Sequence, residues 1–122
     1  MNIRKEYTCP LEIVHDILKG KWKTIILFQL KNGNKSLSEL ERGIEGISQK
    51  MLLEQLRELQ QFGLVEKKTF QGYPLHVEYY LTEKRGRHIL EALKIMQQVG
   101  IEYMLDNGME QELRKKGLLP EE

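Results

Sequence analysis

The sequence is poor in the features that mark secreted, membrane-spanning and disulfide-bonded proteins. A single cysteine, Cys9, among 122 residues excludes an intramolecular disulfide and favours a reducing compartment. The longest apolar run, at about 24–28, is far too short to cross a bilayer, and the N-terminus has no signal-peptide core. We therefore expect a cytoplasmic protein that has no membrane partner.

Motifs of catalysis and metal binding are also lacking. No glycine-rich phosphate loop, nucleophile elbow or helical histidine pair occurs in the sequence. His15, His76 and His88 have no spacing to Cys9, or to paired carboxylates, that would form a metal site. The sequence thus predicts no enzyme, no cofactor and no metal. Only His76 is a candidate for contact with a ligand.

Charge is nearly balanced over the whole chain but unevenly placed along it. The net charge is +1, with +4 on residues 1–88 and −3 on residues 89–122. A basic body with an acidic tail fits nucleic-acid contact at one end, with ordinary surface scatter as the alternative.

Two amphipathic helices are expected at the start of the chain. Cys9-Pro10 begins the first, because proline favours a first helical turn, and Gly20 ends it. Helical spacing continues over about 21–31 and predicts a second helix, with its inward positions at Trp22, Ile25, Ile26 and Leu30.

The middle of the chain carries stronger helix signals. Ser38 followed by Glu41 reads as a capping box, which predicts a short helix ending near Gly43. After a turn at 44–47, Ser48 caps a longer helix that runs to about Phe62, with Gly63 as its left-handed stop. The buried stripe of this helix is predicted to be Leu52, Leu56 and Leu59.

The hydrophobic period then changes from about 3.6 to about 2. Residues 64–70 and 77–81 read as two strands of a hairpin, and Thr82 caps a final helix that reaches about Leu105 with interruptions at Gly86 and Gly100. The predicted fold is mainly α with a small β-hairpin wing, a winged helix-turn-helix. We expect one DNA-binding and dimerisation domain at 1–105 and a charged, partly helical tail at 106–122.

The helix that begins after Ser48 is the candidate DNA reader. Its leucine stripe leaves the opposite face to polar residues, and a recognition helix offers its N-terminal side chains to the major groove. Lys67 and Lys68 on one strand, with a polar loop after it, form a basic hairpin that could follow a phosphate backbone. The candidate DNA-binding residues are Ser38, Ser48, Gln49, Lys50, Leu53, Glu54, Arg57, Lys67, Lys68, Gln71, Tyr73 and His76.

Some of these residues admit a second interpretation. Lys50, Glu54 and Arg57 could form a solvated helix face with internal ion pairs. Glu54 repels phosphate unless it accepts a hydrogen bond from cytosine N4 or orients Arg57, and Leu53 either contacts a thymine methyl or is half exposed.

Motifs spread over about residues 7–105 resemble those of the HxlR-type winged-helix regulators, relatives of the MarR-type regulators. The matching motifs are Cys9-Pro10, Lys19-Gly20-Lys21-Trp22, Leu37-Ser38-Glu39-Leu40, Gly46-Ile47-Ser48-Gln49-Lys50-Met51-Leu52, Leu56-Arg57-Glu58-Leu59, Gly63-Leu64-Val65 and Val77-Glu78-Tyr79-Tyr80-Leu81-Thr82. The resemblance implies a bacterial homodimer that binds operator DNA with the capped helix and the hairpin wing.

The last helix and the cysteine carry two further hypotheses. The apolar face of the helix predicts a dimer seam, and burial within a monomer is the alternative. The seam is expected at Ile89, Leu93, Met96, Gly100 and Tyr103, in a broad stripe widened by Leu90, Ile95, Val99 and Met104. A two-fold dimer predicts a pseudo-palindromic operator. Cys9, at a helix N-terminus near Arg4 and Lys5, is a candidate redox sensor that resembles the sensing cysteine of some HxlR-type members, and a small cap residue is the alternative.

The sequence thus predicts a homodimeric transcription regulator, with repression as the default because a compact dimer acts most simply by occupying a promoter. A winged-helix protein-interaction module without DNA binding is the second hypothesis. No residue set predicts an effector.

Overall fold

Six α-helices and three short β-strands make up the chain over residues 6–120, the part that the computed structural model describes. In chain order they are α1 Pro10–Ile17, α2 Lys23–Gln29, β1 Lys35–Ser36, α3 Leu37–Gly43, α4 Gln49–Gln61, β2 Val65–Phe70, β3 His76–Leu81, α5 Arg85–Asp106 and α6 Glu110–Lys115. None of these helices is both long enough and apolar enough to cross a lipid bilayer. The chain divides into two compact units, one ending at Leu90 and the other beginning at Glu91.

The core of the first unit is built from α2, α3, α4 and the sheet. Apolar side chains at helical spacing on each helix turn inward, where burial of each stabilises the fold by about 1.5–3 kcal/mol. The fully or almost fully buried members are Ile26, Leu27, Leu30, Leu40, Leu52, Leu56, Leu59 and Val65. The leucine stripe predicted for α4 is confirmed, since all three of its members are in this set.

The inward face predicted for α2 is partly wrong. Ile25 is exposed, while Leu27 and the lysine Lys23 are buried. Lys23 lies inside because its ammonium group is paired with Glu58 of α4, a partner 35 positions along the chain that helical periodicity does not reveal.

The start of α3 also differs from the prediction. Ser36, not Ser38, is the N-cap: its hydroxyl accepts a hydrogen bond from Glu39 N at 3.2 Å, and Ser36 N donates to Glu39 Oε1 at 2.9 Å. Ser38 lies within the first turn. The hydrogen bond that Ser36 N donates to Glu39 Oε1 lowers the pKa of the Glu39 carboxyl below its ordinary value.

The hairpin expected as the wing belongs to a three-stranded antiparallel sheet in the order β1-β3-β2, in which β1 is an additional short strand. β2 pairs with β3 from Val65 opposite Leu81 to Phe70 opposite His76, which confirms the hairpin itself. β1 adds two residues to the free side of β3, with Lys35 opposite Tyr79. Only the base of the hairpin is packed in the core, through Val65, Tyr79 and Leu81.

The junction between β3 and α5 is tied to the end of α4. Thr82 Oγ1 donates to Gly63 O at 2.7 Å and accepts from Gly86 N at 2.8 Å, so Thr82 organises the start of the helix although α5 begins at Arg85. Gly86 is buried, and a Cβ at this position would lie 2.4 Å from Leu64 O. The prediction that Gly86 and Gly100 interrupt the helix is wrong, because α5 runs unbroken through both.

The second unit contains most of α5, a turn at Asn107-Gly108, and α6. Leu93 and Leu113 are its buried side chains among the described residues, at 5% and 0% exposure. α6 lies within the segment expected to be a charged tail.

Candidate nucleic-acid interface

The orientation of α4 is set at both of its ends. Ser48 is its N-cap, and the hydroxyl accepts a hydrogen bond from Met51 N at 3.1 Å. At the other end Gly63, with φ of +75°, takes the left-handed conformation predicted for it. Gly63 N donates to Gln60 O at 3.0 Å and Leu64 N to Leu59 O at 2.9 Å, the paired bonds of a Schellman motif. The helix therefore begins and ends at defined residues.

The exposed face of α4 carries the polar residues expected there. At about 100° per residue, Lys50, Glu54 and Arg57 fall on the side away from the buried leucines, and all three are exposed. Gln49 and the cap Ser48 are exposed at the N-terminal end, and Leu53 is half-buried. We call Gln49, Lys50, Leu53, Glu54 and Arg57 the recognition surface.

A buried ion pair holds α4 against α2. Lys23 Nζ lies 2.6 Å from Glu58 Oε2, and the lysine side chain is 4% exposed against 29% for the glutamate. Glu58 is the neighbour of Arg57, so this pair and the leucine stripe together fix the rotation of α4 about its own axis. Sequence reasoning missed this positioning role, because neither residue shows its partner in the local pattern.

The charge of Arg57 influences the pKa of Tyr79, a tyrosine of β3. Burial raises the pKa of the Tyr79 hydroxyl, and the positive charge of Arg57 opposes that rise. Tyr79 stands opposite Lys67 in the β2–β3 ladder. The positive charge of Arg57 therefore acts on the sheet as well as on the exposed face of α4.

Strand β2 exposes its polar residues from Glu66 to Thr69. Lys67 and Lys68 are both exposed, although consecutive strand residues point to opposite faces. Gln71, Tyr73 and His76 are exposed at the tip, as expected. Leu75, which the sequence analysis did not single out, is also largely exposed there.

Several of the wing side chains are engaged with one another. His76 Nε2 lies 2.8 Å from Glu78 Oε2, its ring is 5.5 Å from that of Phe70, and Lys68 Nζ lies 5.2 Å from the centre of the Phe70 ring. Asn34 Nδ2 donates to the other oxygen of Glu78 at 3.4 Å. The carboxylate of Glu78 offsets part of the positive charge at the wing, so the surface there is only mildly basic.

The remaining candidate residues lie on two other helices of the first unit. Ser38 is exposed on α3, with its hydroxyl 3.2 Å from that of Ser36. Cys9 is an exposed free thiol at the N-cap of α1, where its backbone N donates to Glu12 Oε1 at 2.9 Å. Glu12 brings a negative charge beside this cysteine. Arg4 and Lys5, the cations expected near it, lie outside the described residues.

The five residues of the predicted dimer seam are not equally available at the surface. Met96, Gly100 and Tyr103 are exposed and Ile89 is half-buried, but Leu93 is buried within the chain itself. The exposed apolar stripe of α5 is narrower than the predicted one, because Leu90 and Leu93 face inward. It consists of Ala92, Ile95, Met96, Val99 and Tyr103, and its four larger members are 59–70% exposed.

Among residues 6–120 no group of three histidine, cysteine or carboxylate side chains could hold a metal ion. Helix α4 instead exposes a polar face, buries its leucines against α2 and α3, and is followed by a hairpin. This is the arrangement of a DNA-binding helix-turn-helix motif. The family comparison agrees, because the model of the HxlR-like helix-turn-helix family matches residues 17–108.

The chain belongs to the HxlR-like helix-turn-helix family.

Similar proteins place this HxlR-like chain among transcription regulators. The HTH-type transcriptional regulator YkvN of Bacillus subtilis is 46% identical over 79 residues, which is 65% of this chain and 67% of YkvN. The reduced form of the redox regulator HypR has a TM-score of 0.74 and 37% identity, covering 80% of this chain and 95% of HypR. Reduced YodB of B. subtilis has a TM-score of 0.67 and 36% identity, covering 75% of this chain and 90% of YodB.

These likenesses confirm three predictions made from the sequence. The fold is a winged helix-turn-helix, the HxlR-type resemblance is correct, and the protein is a transcriptional regulator of the HTH type, not an enzyme.

Proposed function

We propose that this HxlR-like regulator is a homodimeric repressor that reads a pseudo-palindromic operator in duplex DNA. The observation that carries the proposal is the arrangement of α4, whose leucines are buried while Lys50 and Arg57 are exposed. The Lys23–Glu58 pair keeps the helix in this rotation. A regulator of this kind meets its DNA in the cytoplasm, which we propose as its compartment.

In the proposed complex the N-terminal half of α4 enters the major groove. The groove admits one α-helix, and a glutamine can pair with the N6 and N7 atoms of adenine, while an arginine can pair with O6 and N7 of guanine. Gln49 is assigned the first role and Arg57 the second, with Leu53 against a thymine methyl. Lys50 contacts the groove edge or a phosphate. Ser48 and Ser38, at exposed positions near helix N-termini, are assigned to the phosphate backbone.

The wing supplies a second, sequence-independent contact. Lys67 and Lys68 are exposed on β2 and can neutralise phosphates, while Gln71, Tyr73 and His76 stand at the tip. Each phosphate that a lysine neutralises steepens the salt dependence of binding by about 0.9 in the log–log slope. The contact is expected to be modest, because Glu78 lies beside His76.

The dimer is proposed to form along α5. The exposed apolar stripe that includes Ile95, Met96, Val99 and Tyr103 remains in water in the isolated chain, and a second copy would cover it. Two-fold symmetry would present two α4 helices to successive major grooves, about 34 Å apart. Ile89 and Gly100 are assigned to the edge of this seam, and Leu93 supports it from inside.

Cys9 is proposed to adjust DNA binding to the presence of oxidants. Its thiol is exposed. Of the similar solved proteins, HypR is described as a redox regulator, and YodB has also been solved after diamide treatment. With one cysteine per chain, the oxidant would take two electrons and two protons from two thiols to form a disulfide between subunits, or between Cys9 and a small thiol.

A gel shift with the DNA upstream of the protein's own gene tests this proposal. We expect retarded complexes. Their affinity should fall steeply as the salt concentration rises from about 50 to about 200 mM, as it does for proteins that contact several phosphates. Diamide should change the affinity of the wild type but not that of Cys9→Ser. Binding that is absent, or that has no salt dependence on any duplex, would instead favour a protein-interaction module and overturn the proposal. Identical responses of the wild type and Cys9→Ser would remove the redox role alone.

A further inference from the structure

Glu54 lies between the two cations of the recognition surface. Lys50 precedes it by four positions and Arg57 follows it by three, and both spacings place side chains next to one another on a helix. All three residues are exposed. A surface built only to grip phosphate would not carry a carboxylate at its centre, because that charge repels the backbone of DNA.

The carboxylate of Glu54 has no partner among the residues that the structure describes. Over residues 6–120 it takes part in no hydrogen bond or ion pair, with either Lys50 or Arg57 or any other side chain. It is therefore not the device that orients Arg57. Leu52 and Leu56 are buried on the other side of the helix, so α4 cannot rotate to move Glu54 away from a groove that the helix enters.

The edges of the four bases differ in what they offer to a carboxylate. In the major groove guanine presents two acceptors, thymine presents one, and adenine presents an acceptor next to its amino donor. Cytosine presents the N4 amino group and no acceptor. An ionised carboxylate accepts hydrogen bonds and cannot donate one, so cytosine is the base that satisfies it without repulsion.

We propose that Glu54 is a specificity-determining residue that accepts a hydrogen bond from cytosine N4 and disfavours the other bases at that position. This inference rests on the proposed function, since it requires α4 to enter the major groove. The effect of the carboxylate has two parts. Its charge repels the phosphates and so weakens binding to any unrelated duplex. The hydrogen bond to cytosine offsets this repulsion at the operator alone, so the carboxylate increases the difference in affinity between the operator and other DNA.

The experiment compares the wild type with Glu54→Ala and Glu54→Gln. Each protein selects duplexes from a random library, and the affinity of the best duplex and its single-base variants is then measured by fluorescence anisotropy at several salt concentrations. Glu83→Gln is the matched control, because it removes one exposed carboxylate from the turn between β3 and α5, outside the recognition surface. Glu83 follows Thr82, whose hydroxyl is bound to Gly63 beyond the helix C-terminus, about 20 Å from the N-cap.

The wild type should select cytosine at one position of each half-site, with replacement of that base weakening binding about five- to 150-fold. Glu54→Ala should lose this preference and bind unrelated duplex about fivefold more tightly, because the repulsion is gone. Glu54→Gln should change the selected base from cytosine to adenine, since a glutamine amide pairs with adenine N6 and N7. Glu83→Gln should select the same site as the wild type.

Two results would overturn the inference, and they are distinguishable. If the wild type and both Glu54 variants select the same sequences while all bind DNA, the role of Glu54 is wrong and the proposed function stands. If the wild type selects no duplex at all, the proposed function fails and the inference fails with it. Equal thermal unfolding midpoints of the wild type and the variants would show that the exposed substitutions leave the fold intact.

Discussion

The Lys23 ammonium group and the Glu58 carboxylate form an ion pair of 2.6 Å that joins α2 to α4. The lysine is almost completely buried, and within residues 6–120 the Glu58 carboxylate compensates its charge. The pair sits behind the recognition surface and holds it in place, although neither residue belongs to that surface.

Removing one partner of this pair should destabilise the fold. Glu58→Gln leaves the buried Lys23 charge without its counter-charge, and we expect the free energy of unfolding to fall by about 2–4 kcal/mol. This is less than for a completely buried pair, because Glu58 is partly open to water. Lys23→Met together with Glu58→Leu should recover part of this loss, since the buried lysine charge is then gone together with its counter-charge. Urea unfolding of the single and double variants measures it. A single variant as stable as the wild type would mean that the pair does not anchor α4.

The N-cap of α3 gives a second stability prediction, with Ser38 as an internal control. Ser36→Ala should lower the free energy of unfolding by about 1 kcal/mol, because Glu39 N loses its acceptor, whereas Ser38→Ala should change it by less than about 0.5 kcal/mol. Thermal unfolding of the two variants distinguishes them. Equal effects would mean that Ser36 is not the cap.

The contribution of this cap should depend on pH in a defined direction. The pKa of Glu39 is lowered in the folded chain, because its carboxylate accepts a hydrogen bond from Ser36 N. The stabilisation by Glu39 is therefore complete above the unfolded pKa and is lost as pH falls through the folded pKa. The stability difference between the wild type and Glu39→Gln should accordingly shrink in acid, and a difference that grows in acid would contradict the assignment.

Two glycines of α5 should respond in opposite ways to the same substitution. At Gly86 an added Cβ would lie 2.4 Å from the backbone oxygen of Leu64, while at Gly100 an added Cβ would meet no atom of residues 6–120 within 4 Å apart from its chain neighbours and the backbone of its own helix. Gly86→Ala should destabilise the protein by about 1–3 kcal/mol through overpacking. Gly100→Ala should stabilise the helix by about 0.5–1 kcal/mol. Chemical denaturation provides both values, and a Gly86→Ala protein as stable as Gly100→Ala would refute the close contact.

The dimer proposal makes a prediction about the exposed stripe of α5. Val99→Glu places a charge in the middle of the apolar stripe, where a second copy would bury it, and should weaken dimerisation more than about tenfold. Lys94→Ala, on the same helix but outside the stripe, should leave it unchanged. Sedimentation equilibrium measures the association. A monomeric wild type, or a fully dimeric Val99→Glu protein, would contradict the proposal.

The sequence predicts best those elements whose signals lie within one turn of chain. α4 is the clearest case, since the Ser48 cap, the leucine stripe and Gly63 are all local and all confirmed. The α3 cap was misplaced because both Ser36 and Ser38 stand three positions before a glutamate. Pairing of Ser36 with Glu78 across the sheet ends β1 at that serine, and helix α3 begins at the next residue.

Contacts between distant parts of the chain escape a local pattern. β1 is two residues long and exists through pairing with β3, more than forty positions away. The burial of Lys23 depends on Glu58. The apolar periodicity of α5 predicted a broad stripe correctly but could not tell which side the chain itself covers, so Leu93 was assigned to the seam although it faces inward.

The most direct test of the account is the duplex affinity of a Lys50→Ala/Arg57→Ala variant over a range of salt concentrations. We expect the binding free energy to weaken by about 1–3 kcal/mol, because Arg57 no longer reads its base. The slope of log affinity against log salt concentration should become shallower by about one unit, because Lys50 no longer contacts a phosphate. Lys94→Ala/Lys115→Ala, which removes two positive charges from the second unit, should bind as the wild type does. If the Lys50→Ala/Arg57→Ala protein binds duplex as tightly as its control and with the same slope, the exposed face of α4 is not the surface that reads DNA.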